Sequence, residues 1–320
     1  MKKFVAAATV AAALFATQAS ADDYPNRPIR VFTTSSAGGI SDIFMRVLND
    51  AMQSRLGQPL IIENKPGGAG NIAARACQDA APDGYTICII NADTIIYNQF
   101  MFKSIPFDPE KLTPIVNLFH LIQVLVVNAD LGAKTVDELV AVSKAKPGTL
   151  NYLTASIPCV VYMDSLKRDK GADWVRVPFR GGGEAVTAIL SGTTPIGLFG
   201  LGNIISQIKA NKMTALALVN NIRTPLLPDV PTLADLGYKG APSETWYGLF
   251  APPGTPKAIV DKLHDGMVKA LAMPDIKAAI LKSGSKAVSS ASPEAFRQFI
   301  QAETDKFHPV IKAAGLEGTQ

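Results

Sequence analysis

The chain has 320 residues, of which 48% are hydrophobic and 18% charged, and this length is sufficient for two α/β domains with sizeable cores. Its 31 basic and 27 acidic residues are nearly balanced and form no basic run, which argues against nucleic-acid binding. Beyond the N-terminal segment, no stretch is long and uncharged enough to span a bilayer.

The first 21 residues have the pattern of a secretory signal peptide. Lys2 and Lys3 are followed by an apolar run, and Ala19-Ser20-Ala21 fits a cleavage site. A retained anchor is the alternative, but the run is short for a membrane span. We therefore exclude residues 1–21 from the fold and expect a periplasmic protein. Removing Lys2 and Lys3 leaves 29 basic against 27 acidic residues, a net charge of +2.

Two strand–turn–helix units follow the predicted signal peptide. Val31–Thr34 and Leu60–Glu63 are predicted strands, and the glycine turns Ser35–Gly39 and Pro66–Gly70 each precede an amphipathic helix. Backbone N–H groups at a helix start bind anions without a dedicated cation. The two turns therefore predict an anion-receptive crevice at the carboxyl ends of a parallel sheet. We expect Asp42 to cap the first helix.

Strands and helices alternate along the rest of the chain, which predicts a parallel-sheet α/β architecture. The further predicted strands cover residues 85–91, 121–128, 151–154, 174–178, 196–199, 215–219 and 246–251. The further predicted helices include 160–170, 184–190, 204–210, 257–271 and 275–283, one beginning at the capping box Thr135–Glu138, and a last one capped by Ser292.

The strands at 121–128 and 246–251 are our predicted crossings between two lobes. One lobe would then consist of residues 22–126 and 246–320, and the other of residues 127–245. A single doubly wound domain with a helical tail is the alternative, because spacing alone does not separate the two arrangements.

The three cysteines are an odd number for an oxidising compartment. Cys77 and Cys88 lie on a neighbouring helix and strand, where a bridge is feasible, but disulfide geometry is demanding. We favour buried thiols at these positions and leave the pairing open.

The sequence has no recognisable catalytic or metal-binding motif. It lacks H-E-x-x-H, a Cys/His cluster at metal spacing, the G-x-S-x-G elbow and the P-loop pattern, and it has only three histidines. We therefore predict no metal, no cofactor and no enzymatic activity.

A series of motifs in a fixed order resembles a known family. The series is Gly38-Gly39-x-x-Asp42, ENKPGGAGN at 63–71, PDGYT at 82–86, KPG-x-LNY at 146–152, VPFRGG at 177–182, LPDVPT at 227–232, WYGLFAP at 246–252 and GTP at 254–256. Together these motifs resemble the periplasmic substrate-binding components of tripartite tricarboxylate transporters, the Bug family. The resemblance covers essentially the whole mature chain.

The resemblance implies an α/β periplasmic-binding-protein fold with two lobes, type II-like, in which each lobe is a βα sheet flanked by helices. Such a protein closes like a venus flytrap on a small organic carboxylate and delivers it to a membrane permease. We expect a monomer that binds no nucleic acid. A sensor module that presents its ligand to a signalling receptor has the same sequence features and is the alternative.

The resemblance also implies where the ligand carboxylate would bind. The first-lobe contacts would be Ser36, Ala37, Gly38, Gly39, Asn91, Asp93 and Thr94, and the second-lobe contacts would be Thr154, Ser156, Phe179, Arg180 and Gly181. For the two glycines, turn geometry alone is the alternative, and for Thr154 and Ser156 it is hydrogen bonding to the strand end.

Departures from the family pattern bear on the ligand. Residues 155–162 are stiffer and more apolar than the usual glycine- and serine-rich turn, which favours a ligand with a hydrophobic or aromatic body. Phe199–Gly202 stands where an aspartate is expected, which argues against an α-amino acid. Asp93 would repel a carboxylate unless it pairs with Arg180 or with polar groups of the ligand.

Overall fold

The structure is a computed structural model that describes residues 24–154, 156–177, 182–220, 222–239 and 245–319. The strands are β1 (Ile29–Thr33), β2 (Leu60–Asn64), β3 (Thr86–Asn91), β4 (Thr113–Leu121), β5 (Gln123–Asn128), β6 (Asn151–Leu153), β7 (Val175–Arg176), β8 (Ile196–Gly200), β9 (Met213–Leu218), β10 (Trp246–Ala251) and β11 (Ser285–Ala287). The helices are α1 (Ile40–Leu56), α2 (Asn71–Gln78), α3 (Asn98–Met101), α4 (Val136–Ala145), α5 (Ile157–Lys170), α6 (Gly182–Leu190), α7 (Ile205–Lys209), α8 (Lys257–Leu271), α9 (Pro274–Lys282) and α10 (Pro293–Ala313).

The first sheet has the strand order β11-β4-β10-β3-β1-β2. β1 pairs in parallel with β2 and β3, whereas β10 is antiparallel to both β3 and β4. The prediction of a parallel sheet is therefore right for the first three strands and wrong for the other half. The predicted strand at 121–128 corresponds to β5, whereas β4 and β11 were not predicted.

The second sheet has the order β7-β6-β8-β5-β9 among the described residues. β6 pairs in parallel with β7 and β8, and β5 runs antiparallel to β8 and β9. Both sheets are thus mixed: a parallel half built from βα units is joined to antiparallel strands that carry the chain between the sheets.

Apolar side chains cover both faces of each sheet. On the first sheet, α1, α8 and α9 pack on one face, and α2, α3 and α10 pack on the other. On the second, α4 and α5 cover one face, and α6 and α7 the other. Ile157, the first residue of α5, is 4% exposed and packs into the α10 cluster of the first sheet. A side chain of the second unit is therefore part of the first unit's core.

The chain passes between the sheets at Ile122, which lies between β4 and β5. Its N–H donates to Gly284 O at 3.0 Å, and its carbonyl accepts from Leu201 N–H at 2.7 Å. The side chain of Asn220 donates to Leu121 O at 2.6 Å beside it. The predicted lobe boundary at residue 126 lies inside β5, four residues after this change of sheet.

Two glycines allow the backbones to meet at this crossing. A Cβ at Gly202 would lie 2.2 Å from Ser283 O, and one at Gly284 would lie 2.1 Å from Gly202 N. Gly284 also has a φ of +74°, which favours glycine. Backbone atoms of Gly202, Ser283 and Gly284 therefore approach closely at this crossing.

Cys77 of α2 and Cys88 of β3 form a disulfide, with their Cα atoms 6.1 Å apart. The preference for buried thiols at these two positions was wrong, because the helix packs directly on the strand and brings the two side chains within bonding geometry. Both residues are fully buried, and Cys159 is a buried thiol that donates to Gln123 Oε1 at 3.4 Å. Within the described ranges, no helix is long and apolar enough to cross a membrane.

Candidate functional site

A cavity of about 330 Å³ lies at the carboxyl ends of β1, β2 and β3. Such an edge is where open α/β sheets bind ligands, because loops and helix starts converge there. The second unit reaches the cavity through Ile157 at the start of α5. The lining residues are Thr34, Ser35, Gly67, Ala69, Gly70, Asn91, Asp93, Tyr97, Asn98, Met101, Ile157 and Tyr247.

The second glycine turn forms one wall of this cavity. Gly67, Gly68, Ala69 and Gly70 all have positive φ, between 52° and 111°. A left-handed alanine is unfavourable and persists only where its surroundings hold it. Thr94 Oγ1 lies 3.0 Å from Ala69 O, so the turn is anchored to the neighbouring loop.

Asn98 is a second anchor for the same turn. Its Nδ2 donates to Ala69 O at 2.9 Å and to Asn71 Oδ1 at 2.7 Å. Asn71 is the first residue of α2, so the amino terminus of this helix is held at the cavity wall. The partial positive charge at a helix start favours an anion.

Asp93 is the acidic residue of the lining. Its Oδ2 accepts one hydrogen bond from Asn91 Nδ2 at 3.2 Å, whereas its Oδ1 is inaccessible to water and has no hydrogen-bond partner. Burial raises the pKa of Asp93 to about 6. The described lining contains no Lys, Arg or His that would offset its charge.

Two tyrosines and two apolar side chains complete the walls. Tyr247, at the start of β10, stacks on Phe119 with ring centroids 4.9 Å apart. Burial raises the pKa of Tyr247, with a smaller effect from Asp93, so its hydroxyl stays protonated. Tyr97, Met101 and Ile157 add largely apolar surface. The cavity thus combines a polar edge with an apolar body, as small-molecule sites do.

The first glycine turn has a different partner. Gly38 N–H donates to Asp42 Oδ2 at 2.9 Å, and Gly39 N–H donates to Ser36 O at 2.9 Å. Arg46 and Asn64 also donate to the Asp42 carboxylate. These hydrogen bonds, that of Arg46 first, lower the pKa of Asp42 to about 2. The carboxylate of Asp42 therefore occupies the position at the first glycine turn that an external anion would take.

The expectation that Asp42 is the N-cap was wrong in position. Gly39 occupies the N-cap position of α1, and Asp42 lies three residues later. From there the carboxylate reaches back to Gly38 N–H, as the acidic residue of a capping box does for the backbone at a helix start.

The structure brings some of the predicted contact residues together and separates others. Asn91 and Asp93 line the cavity, and Thr94 lies behind them, with its hydroxyl 2.6 Å from Asn91 Oδ1. Residues outside the lining are Ser36, Ala37, Gly38, Gly39, Thr154 and Ser156. Thr154 Oγ1 accepts from Ser156 N–H at 3.2 Å, as the strand-end alternative expects. Phe179, Arg180 and Gly181 lie outside the described residues. A ligand-binding role for these residues stays a prediction.

The family model described as "Tripartite tricarboxylate transporter family receptor" matches residues 44–316. The chain belongs to this family. Protein BugT of Bordetella pertussis is 31% identical to it over 320 residues, which are 98% of this chain and 96% of that protein.

Solved structures agree with this membership in the TctC family. Periplasmic binding protein BugD is 28% identical with a TM-score of 0.79, over 92% of this chain and 99% of that one. MatC from Rhodopseudomonas palustris, solved with bound malate, is 28% identical with a TM-score of 0.76, over 90% of this chain and 100% of that one. This TctC-family protein therefore has the two-lobed α/β fold of periplasmic binding proteins, and its family is one of receptors.

A larger cavity of about 580 Å³ lies elsewhere on this TctC-family receptor, between α4, the outer side of α5 and residues 236–239. No strand end opens into it. The α4 amino terminus beside it is already capped by Thr135, whose Oγ1 accepts from Glu138 N–H at 3.1 Å. Asp137 and Lys170 pair across its rim. Arg168, Lys170 and Lys239 also line the larger cavity, so neither size nor charge alone identifies the site. The smaller cavity is the candidate because it lies at the carboxyl ends of parallel strands.

The contact residues assigned from the family resemblance omit several residues of the cavity lining. Gly67, Ala69 and Gly70 belong to the second glycine turn, which the sequence predicts to be anion-receptive. The predicted ligand contacts nevertheless did not include them. Ser35 and Ile157 are each one residue from a predicted contact. Tyr247 gave no signal, because its place depends on the antiparallel pairing of β10 with β3. The described residues contain no group of three or more His, Cys, Asp or Glu that could hold a metal ion.

Proposed function

We propose that this protein captures a small organic carboxylate in the cavity at the ends of β1–β3 and delivers it to the permease of a tripartite tricarboxylate transporter. The observation that supports this most directly is the cavity's position. It lies at the carboxyl ends of parallel strands, the edge at which open α/β sheets bind ligands, and next to the first residue of α5.

The walls suggest how such a ligand is held. Backbone groups of the second glycine turn at the start of α2 and the side-chain amide of Asn91 provide neutral polar partners on one side. Tyr97, Met101 and Ile157 suit a short hydrocarbon or aromatic body on the other. The volume of about 330 Å³ is at the small end of ligand pockets, and malate, which MatC binds, is an acid of this size class.

Closure of two lobes on the ligand is part of the proposal. We propose the lobes as residues 22–126 with 246–320 and residues 127–245, with Arg180 beside the cleft. Ile157 already crosses from the second sheet's unit into the core of the first. A bound ligand would add contacts to both units and so favour the closed form.

Export and the downstream partner are also proposed. Residues 1–21 would direct the chain to the periplasm and be removed there, which N-terminal sequencing of the exported protein tests. The protein would act by binding, without chemical conversion of its ligand. Presentation of the ligand to a signalling receptor is the alternative, and uptake in cells lacking the cognate permease distinguishes the two.

The deciding experiment is a thermal-shift screen with mono-, di- and tricarboxylates and aromatic acids, followed by calorimetric titration. We expect at least one acid to raise the melting temperature and to bind with one-to-one stoichiometry. Small-angle scattering should then show compaction with that acid. A panel without any binding acid would rule out carboxylate capture, and binding without compaction would rule out closure alone.

A further inference from the structure

Asp93 places an acidic group inside the cavity proposed to receive an acid. Its Oδ1 is buried and without a hydrogen-bond partner, and its Oδ2 has a single donor in Asn91 at 3.2 Å. A buried carboxyl oxygen without a partner costs more when the group is ionised than when it is protonated, so this arrangement favours the protonated acid.

The surroundings of Asp93 contain no compensating charge among the described residues. The groups facing it that titrate are the phenols of Tyr247 on β10 and Tyr97 on its own helical turn. Its pKa is raised to about 6 by burial. Bringing a ligand carboxylate next to this group raises the cost of ionising both, because two like charges in a dry site share one proton.

We propose that Asp93 binds the ligand's carboxylate through a shared proton, so that the protein takes up one proton with each ligand. This inference rests on the proposed function. In the complex, protonated Asp93 donates from Oδ2 to one oxygen of the ligand carboxylate, and Oδ2 keeps its hydrogen bond from Asn91 Nδ2. The chemical class that fits is an ionised carboxylate without a cationic group at this wall, which agrees with the argument against an α-amino acid.

Proton uptake makes binding depend on pH in one direction. If only protonated Asp93 accepts the ligand and its pKa is about 6, Kd rises about 75-fold between pH 6.5 and pH 8.5. Pairing of Asp93 with Arg180, considered from the sequence, predicts instead that Asp93 stays ionised and that Kd is unchanged over this range.

The test uses malate, adipate and benzoate as probes, first by thermal shift at pH 6.5 and pH 8.5. Any acid that binds is then titrated calorimetrically at pH 7.5 in phosphate and in Tris, whose ionisation enthalpies differ. We expect uptake of about one proton per ligand and the loss of affinity at high pH. Asp93→Asn should bind with a pH-independent Kd and more tightly than wild type at pH 8.5.

Asp130→Asn, an exposed carboxylate away from the cavity, is the matched control and should keep the wild-type pH dependence. Binding without proton uptake, or loss of binding by Asp93→Asn at every pH, would overturn the shared proton. The second result would show that ionised Asp93 accepts a hydrogen bond from the ligand. If Asp93→Asn does not fold, proton uptake by the wild type still decides. A panel in which no acid binds at either pH removes the proposed function and this inference with it.

Discussion

The first and second glycine turns both connect a strand of the first sheet to a helix, yet they present different surfaces. At the first turn, Gly38 N–H, Arg46 and Asn64 all bind the carboxylate of Asp42. At the second, Thr94 and Asn98 hold the carbonyl of Ala69, and the turn forms a cavity wall.

Asp42 at the first turn and Asp93 near the second also differ in their hydrogen bonds and in their pKa. Hydrogen bonds lower the pKa of Asp42 to about 2, whereas burial without a cation raises that of Asp93 to about 6. A glycine turn at a helix start is thus available to an external anion only where the chain does not supply one itself. We therefore interpret the first glycine turn as an element that stabilises the fold, and the second as a wall suited to ligand binding.

Substituting one glycine in each turn gives the largest expected contrast. Gly70 and Gly38 have φ of +90° and +80°, so alanine at either position costs about 1–2 kcal/mol. A Cβ at Gly70 would lie 2.1 Å from Thr94 Oγ1, whereas one at Gly38 meets nothing within 4 Å. Gly70→Ala should lose a further 1–3 kcal/mol of folding free energy and at least tenfold in affinity for the identified acid.

Gly38→Ala is the matched control and should keep its affinity within twofold. Urea denaturation and calorimetric titration measure the two effects separately. Equal losses of affinity in the two variants would mean that both turns contact the ligand.

Removing the disulfide is the next largest change. Cys77 and Cys88 tie the helix after the second turn to the strand before Asn91, and they enclose a short loop. Cys77→Ala/Cys88→Ala should therefore lower the free energy of unfolding by about 3 kcal/mol and weaken binding. Cys159→Ala, which removes a buried thiol outside the disulfide, is the control. A double variant as stable as that control would show that the bridge does not stabilise the wall.

Asp42→Ala should destabilise the protein at pH 7 by about 2 kcal/mol, because Gly38, Arg46 and Asn64 lose a shared acceptor. The pKa of Asp42 is lower in the folded state, so its contribution is present above its ordinary value of 3.8 and is lost as pH falls towards about 2. The stability difference from wild type should accordingly shrink in denaturation at pH 2.5. Affinity should not change, and a tenfold loss would place the first glycine turn in the binding site.

Asp93→Asn should have the smallest effect on stability, and in the opposite direction. The folded-state pKa of Asp93 is raised, so folding is penalised as pH rises from 3.8 through about 6. At pH 8 the variant should be about 1–2 kcal/mol more stable than wild type. This gain is smaller than the full pKa shift implies, because the side chain of Asp93 is partly exposed to solvent. At pH 4 the two should be equal. A variant less stable than wild type at pH 8 would show that ionised Asp93 is favourably paired.

Local patterns in the sequence were sufficient for the parallel halves of the fold. β1, β2 and β3 lie within two or three residues of their predicted bounds, because an apolar run before a glycine turn specifies both ends of a strand. Membership in the family followed from motifs spread along the chain. The antiparallel pairing did not follow, because the strand patterns at β5, β8, β9 and β10 give no direction, and β4 and β11 were not predicted.

The candidate site was less predictable than the fold. Asn91 and Asp93 follow β3 directly, so their place at the sheet edge could be inferred from chain order. How each turn is held depends on donors from elsewhere in the fold, such as Asn64 on β2, which binds Asp42, and Asn98 on α3, which binds Ala69 O. The disulfide depended likewise on how closely α2 packs on β3. These contacts are set by tertiary packing, which local spacing does not encode.

The close contact of Gly202 with Ser283 and Gly284 lies away from the residues that line the cavity. Mutations in the cavity lining and mutations at this contact should therefore have different consequences. The close approach is made by backbone atoms, so replacing cavity-lining residues other than Ile157 would leave it unchanged. If the proposed closure turns at this crossing, new ligand preferences could arise in such a receptor without a change in that closure. A mutation at either glycine is then expected to affect closure for every ligand at once.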